Sequence, residues 1–306
     1  MKRIRIPGII DLAISDDRSE IKSITQDFTL DRSYSDASAL ANRCILHQVL
    51  GTLQIEGRRF PTVSPRSAPG RANAQDALWK RLSTIAPAYS AGPGDLHDLA
   101  SFVRGDVPDD RLGLLVQQVV GRLFVPDFRS TQESWDAALV LAEAPRSLNP
   151  IQLAWWALTK KVDKAKALLA GMVGGDLAAV HAIGVALHNI VSGVTLMRQL
   201  YLDPSSRNSL SPETVSGRCL VAPATVLRQP TVPDGSMAGR VERGTLVMLK
   251  LQEANAKSPD SDLVFLTKSW SRCPAEQWVP SLLAGIWRRA CGTDVHGAVG
   301  NLTNSR

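Results

Sequence analysis

Between Leu177 and Leu202 the apolar positions recur at helical spacing. Leu177, Val180, Gly184, Leu187, Val191 and Val194 share one helical face. The stretch carries few charges and predicts a long, nearly continuous helix through the core. Asp176, after Gly174-Gly175, is positioned to cap its start, and Asp203-Pro204 to end it. The same period runs from Gln75 to about Leu148 between Gly, Pro and Asp breaks, as in Leu112-Gly-Leu-Leu-Val-Gln-Gln-Val-Val-Gly-Arg-Leu123. Pro150 then opens a further helix. Residues 57–75, rich in Arg, Pro, Ser and Gly, predict loop. At the N-terminal side, Ile9 to Ser35 reads as a short apolar strand, an acidic helix start at Ser15-Asp16-Asp17 and a polar turn. After a short helix over Pro212 to Leu220 the pattern changes. Thr225-Val-Leu-Arg228, Gly239-Arg-Val-Glu242 and Thr245 to Leu251 read as short strands around turns at Asp234-Gly235 and Arg243-Gly244. The expectation is a mainly α chain with a small β region.

The bulk properties narrow the class. With 306 residues, 44% of them hydrophobic, the chain suits one large or two smaller globular units, and no fixed-period repeat divides it. We expect a single domain over residues 1–306. No apolar run reads as a membrane span, and the basic N-terminus is followed by too short an apolar stretch for a signal peptide. Cys44, Cys219, Cys273 and Cys291 lie far apart with no Cys-x-x-Cys pair. That argues against a disulfide framework or a zinc site and for a reduced, cytoplasmic protein. The net charge of +6 is scattered, which mildly favours an acidic partner and gives no reason to expect nucleic acid or membrane.

Cys273 carries the chemistry. It lies in Phe265-Leu-Thr-Lys-Ser-Trp-Ser-Arg-Cys-Pro-Ala-Glu-Gln-Trp278, where an irregular segment delivers one cysteine and a helix-compatible stretch, Ala275 to Ala290, follows. Unpaired N–H groups and the positive end of a helix dipole favour a thiolate, the form that binds metal. A lone thiolate so held suits one axial position of a heme iron; the plainer reading is a buried structural cysteine.

In its C-terminal third the chain resembles the cytochrome P-450 superfamily. The resemblance rests on collinear features: the long core helix, Arg218, Pro223 and Arg228 at the family's spacing, Arg243-Gly-Thr245-Leu-Val, Glu253-Ala-Asn-Ala-Lys-Ser-Pro-Asp260, and Arg272-Cys273-Pro-Ala275. It spans residues 175–292, with a weaker echo over Ile9 to Ile24. It implies a compact, truncated P-450-like fold holding heme b, with Cys273 as the iron ligand. Arg228 and Arg71 would pair with the heme propionates, Arg218 would hold the loop below the heme, and Arg272 would steady the sulfur. Each of these arginines can equally be a solvated or structural side chain.

The departures are specific. Val215 stands where the family's Glu-x-x-Arg has Glu. Leu266, Ser269, Ser271 and Ala275 stand at the defining positions of the cysteine loop. Counting back from Asp203-Pro204 places Leu187 and His188 where the family has its acid–alcohol pair. His188, with Asn189 setting its tautomer, would then act as acid and base on bound peroxide, unless it is a hydrogen-bonded packing residue. His181 lies two turns earlier and is expected farther from the iron; Trp270, Trp278 and Trp287 read as packing. Arg288 and Arg289 end the last helix and could dock an acidic electron donor. The implied activity is heme-thiolate oxidation of a small organic substrate, as a monooxygenase fed by a donor such as a ferredoxin or as a peroxide user. The alternative is a catalytically inactive P-450-like auxiliary protein that binds and activates a partner enzyme.

Overall fold

The computed structural model describes residues 1–35, 37–90, 94–147, 149–232 and 241–292. The turn expected at Asp234-Gly235 and the start of the strand expected at Gly239 lie outside the described residues. A five-stranded sheet is built from both ends of the chain. Its strands are β1 (Lys2–Ile6), β2 (Ile10–Ser15), β3 (Leu30–Asp31), β6 (Val226–Pro230) and β7 (Leu246–Leu249), in the order β1-β2-β7-β6-β3. β2 and β7 run parallel, with Leu12 opposite Leu246; the other pairings are antiparallel. Asp31 of β3 therefore stands opposite Gln229, and Arg228 opposite Val247. A separate hairpin, β4 (Gln54–Ile55) and β5 (Arg58–Arg59), turns through Glu56 and Gly57, both at positive φ.

The helices are α1 (Arg18–Gln26), α2 (Leu40–Thr52), α3 (Arg71–Ser90), α4 (Gly94–Arg104), α5 (Leu112–Arg122), α6 (Gln132–Glu143), α7 (Pro150–Thr159) and α8 (Lys161–Met172). They continue with α9 (Leu177–Leu202), α10 (Pro204–Ser209), α11 (Pro212–Arg218), α12 (Leu251–Lys257), α13 (Ser261–Phe265) and α14 (Val279–Ala290). Their starts follow the side chains that can satisfy free N–H groups: Asp17, Thr131, Asn149, Asp176 and Ser211 each accept from the first turn they precede. The acidic helix start is thus set by Asp17, while Ser15 stays in β2. Residues 57–75 are less irregular than expected, because β5, a 3-10 turn at Pro61–Val63 and the start of α3 at Arg71 all fall inside them.

α9 runs through the core as its pattern predicted. Val180, Ile183, Leu187, Val194 and Met197 are fully buried. By length and composition this helix could cross a membrane, contrary to the expectation of no such stretch, but its apolar face packs inside the protein. Two glycines set its approach to neighbours. A Cβ on Gly184 would lie 2.9 Å from Leu141 and Leu169, and one on Gly193 would lie 2.4 Å from the Cys219 carbonyl oxygen. Between the two parts of α9, Ala182–Ala186 form a π turn. Such a turn inserts one extra residue, so side chains before and after it leave the face they would share in a regular helix.

Candidate functional site

Cys273 sits between α13 and a four-residue 3-10 turn, Pro274–Gln277. α14 begins only at Val279, so the helix expected from Ala275 starts later and the long helix does not open at the sulfur. The loop folds back on itself: Leu266 turns at positive φ, and the Cys273 N–H donates to the Phe265 carbonyl at 2.7 Å. Burial pushes the Cys273 thiol up, against smaller pulls from the Ala275 N–H and the Arg32 charge. The metal-free sulfur therefore rests as a thiol, and a cation bound to it is what would ionise it. Cys273, His181 and Tyr34 lie deep enough for burial to govern their titration, yet each keeps part of its surface accessible.

A cationic rim flanks the cysteine loop. Arg32, Arg71 and Arg228 place their guanidiniums 5.4, 4.6 and 5.2 Å from the Trp270 ring centroid. Arg228 is fully buried on β6; its Nη1 donates to the Leu227 carbonyl at 2.9 Å and its Nη2 to Ser271 Oγ at 2.6 Å. Ser271 thereby ties the rim to the cysteine loop. Arg71 Nε donates to the Ser64 carbonyl at 3.1 Å, which holds the start of α3 against the same rim. Several buried polar atoms here have no partner among the described residues: Arg228 Nε, Arg32 Nη1, Trp270 Nε1 and both ends of the Gln229 amide. Burial first, with neighbouring guanidiniums adding to it and Tyr34 and Asp31 opposing it, lowers the pKa of Arg32 to about 10 and that of Arg228 well below its ordinary value. The nearby carboxylate is Asp31, which accepts the backbone N–H groups of Arg32 and Arg66. Among the described residues, the charges that act on Arg228 are the Arg32 and Arg71 guanidiniums and the Asp31 carboxylate.

His181 faces the same region. Its ring meets Phe60 edge-on at 5.7 Å, and burial followed by the Arg32 charge lowers its pKa to about 4. His188 is turned elsewhere. Its Nε2 bonds the Ala138 carbonyl at 3.1 Å and its ring lies 5.2 Å from Trp135, both on α6. Burial is the main cause of its lowered pKa. The ring is held by backbone contacts to Ala138 and Gly184; Asn189 makes no side-chain hydrogen bond among the described residues. Arg272 is exposed and stacks on Trp79 of α3 at 3.9 Å, and Arg218 is exposed at the end of α11. Of the residues singled out in the sequence, the structure thus brings Cys273, Arg71 and Arg228 to one place and holds Arg218, Arg272, His188 and Asn189 outside the guanidinium rim. Sequence reasoning missed Arg32, Gln229 and the role of Trp270. Only the β3–β6 pairing buries the first two, and no local pattern announces it.

No protein-family model matches the chain, and no curated protein matches it by sequence. Solved structures do match. CYP154C4 from Streptomyces sp. W2061 aligns over 94% of this chain and 83% of its own at 14% identity, with a TM-score of 0.55. This is a cytochrome P450-like fold. Two further P450 structures agree. The cytochrome P450 enzyme CxnD, described for C-S bond formation in chuangxinmycin biosynthesis, aligns at 13% identity over 93% and 79% of the two chains, with a TM-score of 0.51. A mutant of cytochrome P450SP alpha (CYP152B1) aligns at 13% identity over 94% and 84%, also at 0.51. On α11, Val215 is fully buried and Arg218 is exposed, so the two positions do not meet as a Glu–Arg pair.

Proposed function

We propose that the chain is a heme-thiolate oxidoreductase acting on a small organic substrate. The observation behind this reading is the pairing of a deep, partly accessible cysteine with three guanidiniums gathered on Trp270, where Arg228 Nε and Arg32 Nη1 are buried without a partner among the described residues. Heme b fits that pairing, having two propionates for the rim and an iron for the sulfur. In this reading Cys273 is the iron ligand, and Arg228, Arg71 and Arg32 hold the carboxylates. The orphaned Arg228 Nε and Arg32 Nη1 gain acceptors, which removes the cost of isolated buried charge. An iron porphyrin, when bound, supplies oxidative chemistry, and a thiolate ligand favours O–O cleavage. Trp270 gives the guanidiniums an aromatic ring to gather on. Dioxygen together with two electrons from an acidic donor such as a ferredoxin, or peroxide by itself, would supply the oxidant. His188 is the sequence-based candidate for acid and base on peroxide, and its contact with α6 means it must rotate to serve.

The test is spectroscopic. Purified protein reconstituted with heme, reduced and exposed to carbon monoxide should give the red-shifted Soret band of a thiolate ligand, and Cys273→Ser should abolish that band. Heme uptake without a thiolate band would overturn the assignment of Cys273. A second reading, a catalytically silent relative that activates a partner enzyme, draws on the exposed Arg218 and the missing Glu-x-x-Arg pair. Failure to take up heme at all would favour it.

A further inference from the structure

α7 is an anomaly for a solvated helix. Its ten residues, Pro-Ile-Gln-Leu-Ala-Trp-Trp-Ala-Leu-Thr, contain no charge, and among them only Trp156 is buried. Ile151, Trp155 and Leu158 are 80%, 60% and 78% exposed. Their spacing of four and three residues puts them on one face, with exposed Ala154 between them. Water meets a continuous apolar stripe about two turns long on α7, a feature that marks an interaction site. The C-terminal end of the stripe is strongly basic. Lys160 makes the left-handed corner between α7 and α8, and Lys161 and Lys164 follow on the first turn of α8. All three are exposed and form no ion pair among the described residues; Asp163 is engaged by Lys166, and Lys161 lies 5.8 Å from the Trp156 ring.

We propose that the α7–α8 hairpin is a docking surface for an anionic lipid membrane, with Ile151, Trp155 and Leu158 entering the headgroup–acyl boundary and Lys160, Lys161 and Lys164 binding lipid phosphates. The charge complementarity is direct, since an exposed lysine cluster beside an apolar stripe matches an anionic surface over an apolar interior. Tryptophan is the side chain that most favours that boundary. A bilayer also needs no shape match. A single ten-residue stripe is small beside the roughly 800 Å² per partner of a stable protein interface, and the lysine cluster would face its own copy in a symmetric pairing. The proposal is independent of heme binding.

Co-sedimentation of the full chain with vesicles tests it. Protein should pellet with phosphatidylglycerol-containing vesicles, release in high salt, and pellet weakly with pure phosphatidylcholine. Ile151→Ser/Leu158→Ser should lower binding at least tenfold. Each Lys→Glu change at 160, 161 or 164 should lower it about fivefold or more, the equivalent of about 1 kcal/mol per lost lysine. These side chains are exposed, so the thermal melts of the variants should match wild type, which separates lost binding from lost folding. Three results would overturn the proposal: no pelleting with anionic vesicles, equal binding to neutral vesicles, or binding unchanged in both sets of variants. A concentration-dependent dimer that Ile151→Ser/Leu158→Ser abolishes would assign the stripe to self-contact instead.

Discussion

Arg228 is where stability and ligand binding pull in opposite directions. A fully buried guanidinium with an unpartnered Nε, close to two further cations, is a cost to the ligand-free fold. Arg228→Met keeps the volume and removes the charge. We expect it to leave the melting temperature of the heme-free protein unchanged or raised, and to weaken heme uptake more than tenfold in a titration followed by absorbance. A melting temperature lowered by many degrees would mean that the charge is satisfied within the protein. His181 gives a pH signature. Its folded-state pKa is about 4, depressed by burial first and the Arg32 charge second, against an ordinary value near 6.5. The unfolded chain therefore binds the extra proton first. Stability is fully present above about pH 6.5 and is lost as pH falls towards 4, by at most about 3 kcal/mol. His181→Gln should flatten the fall in melting temperature across that window, and an unchanged slope would sink the assignment.

At the scale of elements, α9 decides what meets what. Seven residues separate His181 from His188, a spacing that a regular helix would return to nearly the same face. The π turn at Ala182–Ala186 intervenes, and the two rings diverge, one to Phe60 and the other to Ala138 and Trp135. Counting along the sequence could not register that shift. Close contact along the same helix gives a sharper test. A Cβ on Gly193 would stand 2.4 Å from the Cys219 carbonyl oxygen, a backbone atom that cannot step aside. Gly193→Ala should cost about 1–3 kcal/mol in denaturant unfolding through overpacking. Gly171→Ala on α8, where nothing lies within 4 Å, should be neutral or stabilising by up to about 1 kcal/mol. If the two behave alike, the close approach of α9 to the end of α11 is wrong.

Across the whole molecule, the sheet gathers residues from both ends of the chain. β3 brings Asp31 and Arg32 beside β6, which carries Arg228 and Gln229, while the loop after α13 brings Ser271 and Cys273 to the same rim. Charge links the two termini elsewhere too: Lys22 pairs with Asp260 at 2.6 Å and with Asp262 at 3.1 Å, and Arg18 also pairs with Asp260. These contacts are partly exposed, so their combined effect should be modest and salt-sensitive. Asp260→Asn should lower the melting temperature by only a few degrees, and less in high salt, when read by thermal unfolding at two ionic strengths.

Much of this was written locally. The apolar period from 177 to 202 defined the core helix because burial along one face is a property of spacing alone. Asp176, Asn149 and Asp203 fixed element ends because a side chain that can accept from free N–H groups is a local device. The mainly α layout with a small β region was equally legible. The sequence could not determine which arginines would be buried, since Arg32, Arg218 and Arg272 look alike in one dimension. Only the pairing of strands about 200 residues apart puts Arg32 beside Arg228 and leaves the other two in water. Helix ends and faces follow from neighbours along the chain; a gathering of charge at one point follows from neighbours in space, and tertiary structure alone supplies those.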